Sequence, residues 1–247
     1  MRRFFLDSMM NDELKITGSD AHHIMHVLRA KIGQKLIVVD KARQVAETEI
    51  TSFSAEAVTV HCLQCIKADT EASVEVILAQ CLPKSDKMDY IVQKAVELGV
   101  GHIVPIMSAN CVVKYDEDKR EARQKKWQKV ADEAAKQCGR TIQPAVCKII
   151  SLKELLQKQE MDTAVFMCYE GRANQPIVDY LQESTAKRFV VLIGPEGGFS
   201  PAEAAMCIAA GVETVTMGPR ILRTETASLA ALSIVLYEKG DLGGRSK

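Results

Sequence analysis

Two short segments in the last third of the chain combine glycine, proline and charged residues in a way that could bind a small ligand. Residues 191–200 read VLIGPEGGFS, and residues 217–227 read MGPRILRTETA. Each places a turn directly after a short apolar run, which is typical of a β-strand. In open α/β sheets, ligands bind at the carboxyl ends of strands. If the two strands are neighbours, residues 194–199 (the first turn) and 217–222 (the second turn) would form one pocket lined largely by backbone.

The first turn does not match the common phosphate-binding loops. A phosphate loop needs Lys and Ser or Thr after its last glycine, whereas Phe199 and Ser200 follow Gly198. The dinucleotide fingerprint needs three glycines spread over six residues, which GPEGG does not supply. The segment therefore favours a nucleoside-type ligand without phosphates. The alternative is a tight turn with no ligand, because turns select Gly and Pro for backbone reasons alone.

Composition indicates a protein with reduced cysteines, no transmembrane helix and no metal site. The 247 residues carry no net charge and contain no apolar stretch of the length, about 18 residues, that a transmembrane helix needs. The apolar part of the N-terminus is too short for a signal peptide. The eight cysteines often lie beside apolar residues, which suits buried thiols in the cytoplasm. Cys62 and Cys65 form a C-x-x-C pair, but no second pair has zinc-ligand spacing, so no metal is predicted.

The chain is predicted to divide near residue 70. Residues 1–70 contain short β segments at 35–39, 44–50 and 58–62 and one short helix at 21–28, which indicates a small β-barrel. Residues 71–247 alternate strands and helices, as in a mostly parallel sheet with helices on both faces. In this part, strands are predicted at 74–81, 102–107, 163–168, 189–193 and 213–217, and helices at 86–98, 118–138, 201–210 and 226–238.

Local signals predict where three of these helices begin or end. Ser200 is the expected N-cap of the helix after the first turn, with Pro201 at N1 and Glu203 completing a capping box. Ser85 is the expected N-cap of the helix at 86–98, and Gly99 its C′ residue. Gly139 is expected to end the helix at 118–138.

The sequence resembles the bacterial 16S ribosomal RNA (uracil-N3)-methyltransferase family, of the SPOUT class of knotted methyltransferases. The resemblance covers nearly the whole chain, and its most specific motifs are 194–199 and 221–227. Other matching residues are Arg2, Phe4, Phe5, His23, 27–29, Gly33, Lys84, 93–100, Ile103, Pro105, Trp127, 133–135, Gln137, Arg140 and Pro144. The chain departs from the family pattern at Lys41, where Gly is commoner, and at 108–111, which lacks the usual Arg. Both departures affect segments assigned to RNA docking.

The resemblance implies an architecture and an activity. Residues 1–70 would form a PUA-like β-barrel that docks RNA, and residues 71–247 a SPOUT α/β-knot domain with a trefoil knot. The protein would act as a cytoplasmic homodimer and would methylate N3 of a uridine in 16S ribosomal RNA, free or in the 30S subunit. The methyl donor would be S-adenosylmethionine. Three alternatives remain open, namely another SPOUT RNA methyltransferase (ribose 2′-O or tRNA base), a nonenzymatic ribosome-assembly protein that binds RNA, and an enzyme acting on a nucleotide phosphate, which the missing Lys of the first turn disfavours.

The resemblance also implies three groups of site residues. The cofactor would contact Tyr169, Glu170, Ile193, Gly194, Pro195, Glu196, Gly197, Gly198, Met217, Gly218, Ile221, Leu222 and Arg223. RNA would contact Arg2, Arg3, His23, Arg29, Lys84, Lys114 and Arg140. The catalytic candidates are Arg223, as a cation for the developing uracil oxyanion, with Glu196 and Glu225 as carboxylates. For Glu225 the competing interpretation is stabilisation of a helix N-terminus, and for Glu196 it is binding to the amides of its own loop.

Overall fold

The computed structural model describes residues 2–68, 70–157, 162–171, 173–240 and 242–243. The chain folds into two compact units. The first comprises Met1–Glu71 and Ala135–Gln143, and the second comprises Ala72–Ala134 and Pro144–Lys247. The prediction of one boundary near residue 70 did not include the return of residues 135–143 to the first unit.

The first unit is built on a five-stranded sheet. Its strands are β1 (Arg3–Phe5), β2 (Glu13–Thr17), β3 (Lys35–Val39), β4 (Val45–Phe53) and β5 (Ala57–Ile66), in the order β1-β3-β4-β5-β2. β1 pairs parallel with β3, and the other pairs are antiparallel. In β2 the apolar residues Leu14 and Ile16 are buried and their neighbours exposed, so the alternating side chains form one face of the core.

A short helix and the returning segment complete the first unit. Helix α1 (Gly18–His22) continues into a π-helical turn, His23–Val27, so the predicted helix at 21–28 begins earlier than expected. The carboxylate of Glu71 accepts a hydrogen bond from Arg140 Nη2 at 2.6 Å and others from the amides of Thr141 and Ile142. These contacts fix the segment after α3 within the first unit.

The second unit contains an eight-stranded parallel sheet. Its strands are β6 (Glu75–Cys81), β7 (His102–Met107), β8 (Ala145–Val146), β9 (Ile150–Ser151), β10 (Thr163–Cys168), β11 (Gln175–Pro176), β12 (Arg188–Ile193) and β13 (Glu213–Thr216). The order is β11-β13-β10-β12-β6-β7-β8, with β9 also paired to β7. Its helices are α2 (Lys87–Leu98), α3 (Glu117–Cys138), α4 (Leu152–Gln157), α5 (Ile177–Glu183), α6 (Pro201–Ala209) and α7 (Thr224–Glu238). Helix α3 runs on into the first unit.

The sheet order corrects one expectation about the two turns. β12 and β13, which precede them, are not neighbours, because β10 lies between and pairs in parallel with both. The turns therefore flank the end of β10, so the segment that follows β10 becomes the middle of the pocket wall.

The helix signals were mostly confirmed. The predicted capping box of α6 is present, with Ser200 and Glu203 in reciprocal hydrogen bonds and Pro201 at N1. Gly99 ends α2 with φ 110°, a left-handed conformation that suits glycine. The prediction for Ser85 was wrong, since Asp86 is the N-cap of α2. In the described ranges, no helix has both the length and the apolar character needed to cross a membrane.

Candidate active site

A cavity of about 380 Å³ lies where β10, β12 and β13 end. All of the predicted cofactor-binding residues line it except Gly197. Gly171 lines it too, next to the predicted residues Tyr169 and Glu170. Lining residues that the resemblance did not assign are Lys87, Cys168, Phe199, Val215, Thr216, Pro219, Arg220, Thr224 and Ala227. Both turns and residues 169–171 after β10 therefore face one space. Among the predicted catalytic residues, Arg223 and Glu196 line the cavity.

The first turn is shaped by glycine and held by a neighbouring loop. Gly198 has φ 61°, and a Cβ at this position would overlap the carboxylate of Glu170. Asn110 Nδ2 donates to the carbonyls of Gly197 and Gly198 at 3.0 and 3.2 Å. The turn also closes on itself, since the Gly198 amide donates to the Pro195 carbonyl at 2.9 Å. The loop that lacks the family's usual Arg therefore braces the first turn.

A buried polar network joins the first turn to the start of α7. Gln80, fully buried on β6, donates from Nε2 to Thr224 Oγ1 at 3.0 Å. Thr224 Oγ1 in turn donates to the carbonyl of Gly194 at 2.7 Å. Ser228 Oγ lies within hydrogen-bond distance of Gln80 Oε1 and of the Thr224 carbonyl, and its single proton is shared between these two acceptors. Since each buried polar group has a partner, the network fixes the turn relative to the helix.

Lys87 holds both predicted carboxylates. Its Nζ lies 3.0 Å from Glu196 Oε1 and 3.1 Å from Glu225 Oε2. Burial raises the pKa of Glu196, but hydrogen bonds from Lys87 and from backbone amides outweigh this and bring its pKa below the usual value. For Glu225, burial is likewise outweighed by its own amide and by Lys87, so its pKa is also lowered. Both carboxylates are therefore ionised and poor proton acceptors in this arrangement.

The contacts of the two carboxylates also match the competing interpretations. Glu196 accepts a hydrogen bond from its own amide, as that interpretation expects, but it also accepts from the Lys84 amide at 3.1 and 3.2 Å, which lies outside its loop. Glu225 lies in the first turn of α7, where a negative charge is stabilised by the helix dipole. Their geometry is that of structural ion pairs at the cavity edge.

Arg223 is placed differently. It is the N-cap residue of α7, lines the cavity and is exposed. Within the described part of the chain, its guanidinium makes no hydrogen bond or ion pair, although its charge contributes to the lowered pKa of Glu225. It is therefore available to a ligand.

The predicted RNA-binding residues fall into two groups. Exposed side chains are Arg2, Arg29, Lys84 and Lys114, and His23 is half-buried with its Nε2 2.8 Å from Arg2 Nη1. Arg140, in contrast, is 5% exposed and paired with Glu71. Arg3 is half-buried and donates to the carbonyls of Gly139 and Arg140. We therefore correct the assignment of these two, because their guanidinium groups already brace the first unit.

Sequence reasoning missed Lys87, Gln80 and Asn110. Lys87 contacts carboxylates 109 and 138 residues further along the chain, a separation over which no periodicity signals a pair. A polar residue within the otherwise apolar run of β6 was the one available signal for Gln80.

Comparison with known proteins agrees with this geometry. A family model described as "RNA methyltransferase domain" matches residues 70–236, and one described as "RNA methyltransferase PUA domain" matches residues 16–61. The chain is 34% identical to ribosomal RNA small subunit methyltransferase E of Bacillus subtilis, covering 99% of each chain. It is 28% identical to the protein of the same name from Synechocystis, covering 92% of this chain and 74% of the relative.

Solved structures are also similar. Ribosomal RNA small subunit methyltransferase E from Neisseria gonorrhoeae, bound to S-adenosyl methionine, superimposes with a TM-score of 0.89 at 29% identity, covering 98% of this chain and 99% of that one. A Legionella pneumophila structure with bound SAM gives a TM-score of 0.87 at 26% identity, covering 97% and 98%. The fold is thus a SPOUT-type α/β-knot unit preceded by a PUA-like β-barrel. By its length of match and its identity, the chain belongs to the ribosomal RNA small subunit methyltransferase E family of RNA methyltransferases.

Proposed function

We propose that this protein transfers a methyl group from S-adenosylmethionine to N3 of a uridine in 16S ribosomal RNA. The observation that carries the proposal is the single cavity formed by the first turn, the second turn and the end of β10. Membership of the methyltransferase E family supports the reaction and the RNA class, and the relatives solved with the cofactor support the donor. None of the eight cysteines, all of which lie in the described ranges, forms a disulfide, which suits a reducing compartment such as the cytoplasm.

The residues around the cavity fit this cofactor. The volume lies within the range of small-ligand pockets, about 300–1,000 Å³. Ile193, Leu222 and Ala227 offer apolar contacts for an adenine ring, and Glu170 offers a carboxylate to ribose hydroxyls. Gly218 has φ 110° and no atom within 4 Å of a Cβ position, so the backbone is open to close approach. When bound, the cofactor supplies a methyl group already activated by its sulfonium, so the chain needs no nucleophile.

The remaining work falls to orientation and charge. The cavity walls would align N3 of the uracil with the methyl group, because correct alignment lowers the entropic barrier. N3 would release its proton to solvent and accept the methyl group, leaving S-adenosylhomocysteine, and negative charge would grow on the uracil oxygens as the proton leaves. Arg223, exposed and without a partner in the described ranges, would stabilise that charge.

We further propose that residues 1–70 form the RNA-docking domain and residues 71–247 the catalytic domain. In the first of these domains, Arg2 and Arg29 are exposed cations, and the His23 ring contacts the Arg2 guanidinium. Such side chains suit phosphate contacts, which fix register without reading bases. Arg2→Ala with Arg29→Ala should reduce the salt slope of RNA binding by about two units. A matched control is Lys119→Ala with Lys125→Ala, whose charges already pair with Asp116 and Glu121. An unaltered slope in the arginine variant would contradict the docking role.

A homodimer is also proposed, as the resemblance implies. Helices α2 and α7 pack together and each leaves a large aromatic side chain about half exposed, Tyr90 at 49% and Tyr237 at 51%. A second copy of the chain could cover them. Light scattering coupled to gel filtration should give twice the chain mass of 27.2 kDa, and a monomer at micromolar concentration would contradict it.

The central test uses 30S subunits and free 16S RNA from a strain that lacks this gene. After incubation with the protein and S-adenosylmethionine, nucleoside mass spectrometry should detect 3-methyluridine. Detection of a ribose 2′-O-methyl nucleoside, or modification of tRNA alone, would point to another SPOUT activity. If the protein binds RNA but no methylated nucleoside forms in either substrate, it is a nonenzymatic RNA-binding protein and the proposal is wrong.

A further inference from the structure

Lys87 joins two segments of the cavity wall that are distant in sequence. It begins α2, while Glu196 lies in the first turn and Glu225 in the first turn of α7. One ammonium group lies within 3.1 Å of an oxygen of each carboxylate. The three side chains are 20–27% exposed, so solvent screens them less than it would a fully exposed pair.

Both carboxylates have backbone partners besides Lys87. Glu196 also accepts hydrogen bonds from the Lys84 amide. Glu225 is also stabilised by its own amide, while its buried Oε2 meets the Lys87 ammonium in an ion pair. A buried carboxylate oxygen without a hydrogen bond is costly unless a charge compensates it. Lys87 supplies that charge at 3.1 Å.

Three cationic side chains lie near Glu196 and Glu225 in the structure or along the chain. Lys87 approaches from α2 and Arg223 from the residue before α7, while the Lys84 side chain, in the loop before α2, is exposed. The two negative charges therefore share Lys87 as their direct counter-ion. Without it, two carboxylates would remain at the cavity edge with only the charge of Arg223, which is the group we expect the substrate to use.

We propose that Lys87 is a positioning residue for the methyl transfer, because it keeps Glu196 and Glu225 ionised together and thereby holds the first turn against α7. This inference rests on the proposed function of the cavity, which Lys87 itself lines. It also assigns Arg223 to the substrate, since Lys87 already compensates the nearby carboxylates. Neither the sequence resemblance nor the comparisons with relatives point to this lysine.

The test compares Lys87→Met, Lys87→Arg and the control Lys94→Met. Lys94 lies on the same helix and pairs with Glu97 at 2.8 Å, but it does not line the cavity. In Lys87→Met the carboxylates lose their cation, so they protonate at higher pH. We expect the acid limb of the pH–rate profile to move upward by about one pH unit, the effect of losing a close opposite charge. The KM for S-adenosylmethionine should rise, Lys87→Arg should restore most of the profile, and Lys94→Met should match the parent.

Two results would overturn the inference while leaving the proposed function intact. One is an active Lys87→Met enzyme whose pH profile superimposes on that of the parent protein. The other is an equal loss of rate at every pH in both Lys87 variants, as for a purely structural residue.

A titration that needs no activity separates this inference from the proposed function. Carboxyl ¹³C chemical shifts of Glu196 and Glu225 in the unmodified protein should titrate below the ordinary glutamate value of about 4.3. Titration at or above that value would contradict the role of Lys87, even if Lys87→Met does not fold. A parent protein that transfers no methyl group but shows the low titration would instead refute the proposed function, and it would leave only the ion pairing of Lys87 with the two carboxylates standing.

Discussion

The two turns face the same cavity but are held in very different ways. The first turn is tied to its surroundings by Asn110, by Thr224 and by the Lys87–Glu196 pair. Among the described residues of the second turn, 217–222, hydrogen bonds are made by Gly218 alone, and they go only to Thr216, two residues away. Ile221 in this turn is 83% exposed, whereas Phe199 in the first is 8% exposed.

This difference indicates that the first turn is preformed, whereas the second turn becomes ordered when a ligand binds. The first turn belongs to the folded core, and its shape is set before any ligand arrives. The second turn has few contacts of its own, so a bound cofactor would supply the contacts that order it. Segments with few buried contacts are those that open most easily. Changes in the first turn should therefore affect fold and binding together, and changes in the second should affect binding alone.

The largest effect is expected from Gly198→Val in the first turn. Valine there would be strained at the positive φ and would push the Glu170 carboxylate, the end of a flexible side chain that lines the cavity, out of its position. Calorimetry should detect no S-adenosylmethionine binding to the folded variant. Gly211→Val is the matched control, since Gly211 has φ 80° but nothing within 4 Å of its Cβ position. The control should be less stable but bind normally, and normal binding by Gly198→Val would remove the first turn from the site.

Arg223→Ala should lower kcat by about 10²-fold, the scale of one lost oxyanion donor. Arg223→Lys keeps the charge without the planar fork and should be intermediate. The guanidinium has no hydrogen bond in the described ranges, so its removal should leave the cavity walls in place. Cofactor affinity should therefore change much less than kcat. Steady-state kinetics with calorimetry would check this. Proportional losses of affinity and turnover in both variants would show that Arg223 braces the fold.

The same Thr→Val change at Thr224 and at Thr216 compares how much each turn's hydrogen bonds contribute to stability. Thr224→Val removes the hydroxyl between Gln80 and Gly194 and leaves buried polar atoms without partners, which costs about 1–3 kcal/mol. Thr216→Val removes only the local bonds of Gly218 and should change stability by less than about 0.5 kcal/mol. Urea unfolding would measure both. Equal losses of stability would mean that the second turn is as firmly held as the first.

Local patterns predicted most of the elements that position the site. The strands at 35–39, 102–107 and 163–168 have the predicted bounds, because each is a short apolar run bounded by polar or turn residues. Short elements escaped prediction, including β1, β8, β9 and β11, since two or three residues carry no periodicity. The glycine turns were visible because glycine and proline report directly on backbone conformation.

The pairing of residues that are distant in the chain could not be predicted from the sequence. The position of β10 between β12 and β13, the return of residues 135–143 and the contacts of Lys87 all depend on tertiary packing. Arg140 illustrates the same limit. The resemblance assigned it to RNA contact, and only its burial against Glu71 shows that it has a structural partner.

Hydrogen–deuterium exchange of the full chain, with and without S-adenosylmethionine, tests most directly whether the two turns form one cofactor site of unequal rigidity. Without cofactor, peptides covering residues 217–222 should exchange quickly, and those covering 194–199 should exchange more slowly. Saturating cofactor should slow exchange strongly in the second turn and only slightly in the first. Unchanged exchange in the second turn at saturating cofactor would contradict the account, because it would place the cofactor outside the cavity that the two turns enclose.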